Sequence, residues 1–225
     1  SRNADSFTFN SRSEVIGAAI GTNSYGYAYD AIGNRVWSAA NTLTNTYAAN
    51  CLNQYTAVTP SVAVAYDADG NMTRLGDWYH AWDAENRLVQ SQPYGLATNG
   101  AIMVDNRYDY RHRRCSKTVR RLTGRGAGYP FDPSQGGTWD VVATHTFVYD
   151  GWNLVRETVS HAGGVTDVFD YFWGLDISGT LQGAGGVGGL LAVRINNDAW
   201  YFPLYDNNGN VTDYVDAAGN IRAHY

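Results

Sequence analysis

Eight times along this chain an Asp or Asn is followed, three residues later, by a Gly, Asn or His. The pairs are Asp30/Gly33, Asn50/Asn53, Asp67/Gly70, Asp83/Asn86, Asp109/His112, Asp150/Asn153, Asp206/Gly209 and Asp216/Gly219. Asp and Asn suit the first position of a type I turn because their side-chain oxygen accepts bonds from backbone N–H groups just downstream. Three residues on, a hairpin that resumes its twist needs a left-handed residue. Gly takes that conformation without a Cβ penalty, and Asn and His are enriched there among the other types. The residue before the polar position is Tyr29, Ala49, Tyr66, Trp82, Tyr108, Tyr149, Tyr205 or Val215, so an apolar and usually aromatic side chain ends each incoming strand. Segments such as Arg35-Val36-Trp37, Met72-Thr73-Arg74-Leu75 and Leu154-Val155-Arg156 follow the turn, mixing polar and apolar residues as a strand with one buried face does.

Each unit therefore reads as a β-hairpin, and the early copies lie 16 to 20 residues apart. A lone hairpin is marginal in water, so the units gain stability by pairing edge to edge and packing aromatics against one another. The expectation is an all-β fold over residues 1–225, one segment of tandem hairpins in a continuous curved sheet. Its unpaired ends would invite further sheet. Two stretches break the regularity. Residues 122–138, rich in Gly and Pro, read as a loop insertion with strands resuming at Trp139, and residues 171–189 read as a Gly-rich crossing. Composition agrees: 17 Tyr, 7 Trp and 7 Phe favour a pleated sheet, and 25 Gly supply turns.

A formal net charge of −5 argues against nucleic acid as a partner, since phosphate binding needs clustered Lys and Arg. The short basic run of Arg111, Arg113, Arg114, Lys117, Arg120 and Arg121 reads as a solvated strand face. Cys51 and Cys115 have neither disulfide-framework nor zinc-site spacing, and no apolar run approaches the length of a membrane helix, so membrane insertion is not expected. Gly183-x-Gly185-x-x-Gly188 matches a dinucleotide fingerprint in letters only, because a strand, Leu190 to Ile195, follows where a helix is needed. The histidines His80, His112, His145, His161 and His224 show no metal-binding spacing, and one Asp per turn is better used on its own backbone than on calcium. Glu85, Glu157, Asp167, Asp170 and Asp176 could supply a pair of glycosidase carboxylates, but nothing singles out two of them. No catalytic, cofactor or metal residues are assigned, and no cofactor is expected. The sixteen turn positions named above are the site residues, in a structural role.

Four motifs carry a family resemblance: Tyr29-Asp30-Ala31-Ile32-Gly33-Asn34-Arg35, Tyr66-Asp67-Ala68-Asp69-Gly70-Asn71, Trp82-Asp83-Ala84-Glu85-Asn86-Arg87-Leu88 and Tyr108-Asp109-Tyr110-Arg111-His112. Through them the chain resembles the YD-repeat or RHS-repeat proteins over essentially its whole length. Trp173-Gly174-Leu175-Asp176, the Gly183 to Leu191 stretch and Tyr201 to Val211 look like the region ahead of the RHS-associated core. The resemblance implies a spiral β-shell enclosing a C-terminal polypeptide, often a toxin, in a secreted or surface-exposed bacterial protein. Self-processing members carry a DPxGL-like cleavage site, and Asp132-Pro133-Ser134-Gln135-Gly136 does not match it, so neither protease nor cargo is expected within this chain. The function expected is thus that of a non-enzymatic wall segment whose partner is the rest of its own polypeptide. The alternative is a glycan-binding or adhesive surface module, suggested by 31 aromatic residues on a β-scaffold.

Overall fold

The computed structural model describes residues 5–60, 62–95, 97–124 and 137–225. These form two antiparallel sheets whose strands follow one another in chain order, and no helix occurs among the described residues. The all-β class expected from the turn code is the class observed. Residues 125–136, the centre of the loop read between 122 and 138, lie outside the described residues.

The chain divides into two compact units. The first comprises Ser1–Asn86 with Pro93–Gly95, and the second Arg87–Gln92 with Leu96–Tyr225. In the first, β1 (Ser6–Phe9), β2 (Val15–Ile20), β3 (Asn23–Tyr29), β4 (Arg35–Ala40), β5 (Leu43–Ala49) and β6 (Tyr55–Thr59) make a six-stranded sheet. There too β7 (Val64–Tyr66) pairs with β8 (Met72–Leu75), and β8 with β9 (Trp78–Trp82). The second carries β10 (Leu88–Pro93), β11 (Ile102–Tyr108), β12 (Arg114–Thr123), β13 (Thr138–Asp150) and β14 (Asn153–His161). It continues through β15 (Thr166–Trp173), β16 (Leu190–Ile195), β17 (Ala199–Tyr205), β18 (Val211–Asp216) and β19 (Ile221–His224). β15 runs through Trp173, so the Gly-rich connection to β16 begins at Gly174.

The hairpins alternate between two turn types. Short two-residue links start with a residue at positive φ: Gly21 (59°), Asn41 (53°) and Gly76 (59°). Longer turns start at the repeated Asp or Asn. Beyond the longer turns at Asp30, Asn50, Asp67, Asp109, Asp206 and Asp216 the register slips by one residue, so that Tyr29 faces Arg35 while Ala28 faces Trp37, and Tyr205 faces Val211 while Leu204 faces Asp213. The extra residue, Val36 or Thr212, forms a β-bulge, which bends the strand and sharpens its twist. The hydrophobic contacts are those of a thin sheet. Met103, Leu122, Ala143, Val159, Leu190, Ala192 and Val193 are the buried apolar residues, and no large side chain among the described residues falls below 2% exposure.

Candidate functional site

The repeated turn is built around one side chain. At Asp30 the backbone N–H donates to the Asn34 carbonyl at 2.9 Å, while Gly33 N–H donates to the Asp30 carbonyl at 3.3 Å. Oδ1 of Asp30 accepts from the N–H of Ile32 at 3.0 Å and of Asn34 at 2.8 Å, and Oδ2 accepts from the Asn34 amide at 2.9 Å. One carboxylate thus holds the third and fifth residues, and the fourth is forced to positive φ, 92° at Gly33. The same frame stands at Asn50, Asp67, Asp109, Asp206 and Asp216, with φ of 61° at Asn53, 88° at Gly70, 61° at His112, 78° at Gly209 and 82° at Gly219. Asp83 caps Glu85 N–H at 3.0 Å, and Asn86 has φ of 59°.

At Asp150 the structure departs from the sequence reading. Asp150 and Asn153 face each other at the ends of β13 and β14, and the left-handed residue is Gly151, at φ of 58°. A glycine at the first central position permits a two-residue turn, so the chain turns earlier and Asn153 becomes a buried strand residue. Two further copies escaped the reading. Asn10 caps Arg12 and Glu14 with Ser13 at φ of 63°, and Asp176 caps Ser178 with Gly179 at 75°. The Asp176/Gly179 offset is visible in the sequence, whereas Ser is an unusual occupant of positive φ.

The fifth residue also ties one turn to the next. Asn34 donates to Asn53 Oδ1 at 3.3 Å, Asn71 to Asn86 Oδ1 at 2.8 Å, and Arg113 to the Gly151 carbonyl. The aromatic that precedes the Asp reaches back one hairpin. Trp82 Nε1 donates to the Met72 carbonyl (2.9 Å), Tyr108 Oη to Leu88 (2.9 Å), Tyr149 Oη to Arg114 (3.0 Å) and Tyr205 Oη to Leu190 (2.6 Å). Each acceptor opens a strand that leaves a turn, beside the bulge, where the ladder is interrupted and a carbonyl is left for a side chain to satisfy.

The Gly-rich connection folds around Asp176, which is 5% exposed. Its Oδ1 accepts from Ser178 Oγ (2.5 Å) and N–H (2.9 Å), and its Oδ2 from the N–H groups of Ala184 (2.6 Å) and Gly186 (3.2 Å). These bonds, the Ser178 hydroxyl first, bring its pKa down to about 2. Gly185, Gly186 and Gly188 serve this loop at positive φ, and β16 follows as a strand.

The carboxylates considered for glycosidase chemistry are each engaged separately. Glu157 bonds His145 Nδ1 at 2.5 Å and the Tyr171 hydroxyl at 3.1 Å. Asp170 lies on the opposite face, since it pairs with Arg156 while Glu157 pairs with Phe169. Asp170 accepts from Arg156 Nε at 2.7 Å and Arg194 Nη2 at 2.8 Å, which hold its carboxyl below the usual range. Asp167 bonds His161 at 2.9 Å and Asn196 at 2.9 Å. The basic run is partly neutralised, with Arg113 on Asp109 (2.7 Å) and Arg120 on Asp105 (2.8 Å). Cys51 and Cys115 are unbonded, and no group of three His, Cys, Asp or Glu side chains gathers as a metal site among the described residues. No helix long and apolar enough to cross a membrane occurs among the described residues.

The geometry defines a class of protein: a sheet of sequential hairpins joined by carboxylate- or amide-capped turns at positive φ. No protein-family model matches the chain. It is 27% identical over 203 residues to tRNA3(Ser)-specific nuclease WapA of Bacillus spizizenii, and equally to tRNA nuclease WapA of Bacillus subtilis. In both cases the match covers 88% of this chain and 7% of the relative, so the chain spans a small part of those proteins' length. Among solved structures it is similar to a chain of the TcdB2-TccC3-Cdc42 crystal structure, with 14% identity, TM-score 0.42, and coverage of 94% of this chain and 13% of that one. A chain of the Photorhabdus luminescens Tc holotoxin pore is also similar, with 11% identity, TM-score 0.30, and coverage of 98% and 14%. The sequence relatives correct one expectation. A non-enzymatic chain is the expectation from the residues, and it is overturned by the relatives, which are nucleases by name.

Proposed function

We propose that this chain is a wall segment of a large RHS-type bacterial toxin polypeptide, secreted or surface-exposed, whose principal partner is the rest of that polypeptide, including a C-terminal cargo held within the wall. The observation that carries this reading is the pair of antiparallel sheets of capped hairpins in strict chain order, in which no large side chain among the described residues is fully buried. A self-sufficient domain of this size ordinarily closes a core between two layers. A thin sheet with open faces and edges suits a repeat array completed by neighbouring segments. The match to 7% of much longer nucleases supports the same reading. Cryo-electron microscopy of the complete polypeptide tests it. Residues 5–225 are expected in a closed wall around other chain density, and a free-standing module with both faces in solvent would refute it.

Exposed tryptophans favour a second reading, an adhesive module that stacks sugars. Trp152 is 61% exposed and Trp78 43%. Saturable binding on a glycan array, lost in Trp152→Ala, would favour this reading, and silence would disfavour it.

A further inference from the structure

One face of β12 to β16 carries a recess that the repeat itself does not require. On this face the row Thr118, Thr144, Ser160, Thr166 runs across four strands, and the row Ser116, Thr146, Thr158, Val168 lies beside it. The next row is Arg156, Asp170, Arg194, directly paired across β14, β15 and β16. One carboxylate meets two guanidinium groups there, so the trio holds a net charge of +1 in a chain of formal charge −5.

The hydrogen-bonding capacity is also lopsided. Both oxygens of Asp170 are occupied, one by each arginine. Arg156 uses only Nε in that bond, and its side chain is 52% exposed, which leaves its two terminal amino groups without a partner among the described residues. Arg194 is held on its far side by the rings of Phe172 (5.6 Å) and Trp200 (5.5 Å). Between these arginines and the Asn196-Asn197 turn lies a recess of about 410 Å³, with Val168 and Thr166 in its lining. Its free charged group is a donor, the Arg156 fork, and the Thr166 hydroxyl and the Asn197 amide can donate beside it. Its one carboxylate is already spent. A cation would find no free carboxylate, whereas an oxyanion matches the planar arginine fork.

We propose that this recess binds a compact oxyanion, a phosphate or carboxylate group of a larger ligand, with Arg156 as the anchoring side chain. The proposal stands on the recess alone and does not depend on the wall reading. Its test is a titration of the ¹⁵N-labelled chain with sodium phosphate and, separately, sodium acetate, each at fixed ionic strength set with chloride. The side-chain Nε–H resonances of Arg156 and Arg194 are followed. Saturable shifts at these two arginines are expected, weakened at least about tenfold in Arg156→Gln, partly restored in Arg156→Lys and unchanged in Arg111→Gln. Tighter binding of phosphate than acetate would point to a phosphorylated ligand, and equal binding to any oxyanion, including carboxylate. Shifts that grow linearly with every anion, or that persist unchanged in Arg156→Gln, would overturn the proposal.

Discussion

A single torsion sets what each turn tolerates. Gly209 has φ of 78°, and a Cβ there would lie 2.6 Å from Val187 Cγ1 and 3.3 Å from the Gly188 nitrogen. Gly209→Val therefore combines backbone strain with overpacking, and a loss of about 2 to 4 kcal/mol is expected in denaturant melts. Ala68→Val, one residue into an exposed turn and outside the positive-φ set, should stay within about 0.5 kcal/mol. Charge acts at the same scale. Asp216 is brought down to about 2 by the Asn220 N–H and amide, Asp176 to about 2 by its loop, and Asp67 and Asp206 are lowered by the Asn71 and Asn210 amides. Folded-state values below the unfolded ones mean that the unfolded chain binds more protons in acid. Their stabilisation is then complete above the unfolded carboxylate range and lost as pH falls toward 2. The urea midpoint should be level above about pH 5 and drop below pH 4, and the drop should be shallower in Asp216→Asn. A midpoint independent of pH between 5 and 2 would contradict the capping role.

An element stands only with its neighbour. The aromatic before the Asp fills the surface between hairpins and also donates to a carbonyl beside the previous bulge, as Tyr108 does to Leu88 and Tyr205 to Leu190. Tyr205→Phe keeps the ring and removes the donor, so a loss of about 1 kcal/mol is expected from the unsatisfied carbonyl, and the same holds for Tyr108→Phe. Sequence reveals the ring but not its target, because the acceptor is placed by a bulge 15 or 20 residues away. The first and fourth turn residues are legible for the opposite reason: their demands are local. That reasoning fails at Asp150, where Gly151 offers left-handed backbone two residues sooner than Asn153. It also passes over Ser13, whose torsion is imposed by the Asn10 cap and not by its own preference.

At the scale of the molecule, the all-β class and the chain-order strand sequence follow from the turn code, since hairpins joined head to tail by short links usually pair with the hairpin before and after. The two compact units do not follow from it, and neither does the Arg156, Asp170, Arg194 row, which depends on cross-strand register between residues 14 and 24 apart. The repeated turn rests on a fourth residue held left-handed by the cap three positions before it. Intraresidue Hα–HN nuclear Overhauser effects in the folded chain measure this torsion directly at the non-glycine copies. Strong effects are predicted at Ser13, Asn53, Asn86 and His112, and weak ones at Asn153 and at Leu52 beside Asn53. Weak effects at Asn53, Asn86 and His112 would place them in extended or right-handed backbone and contradict the account.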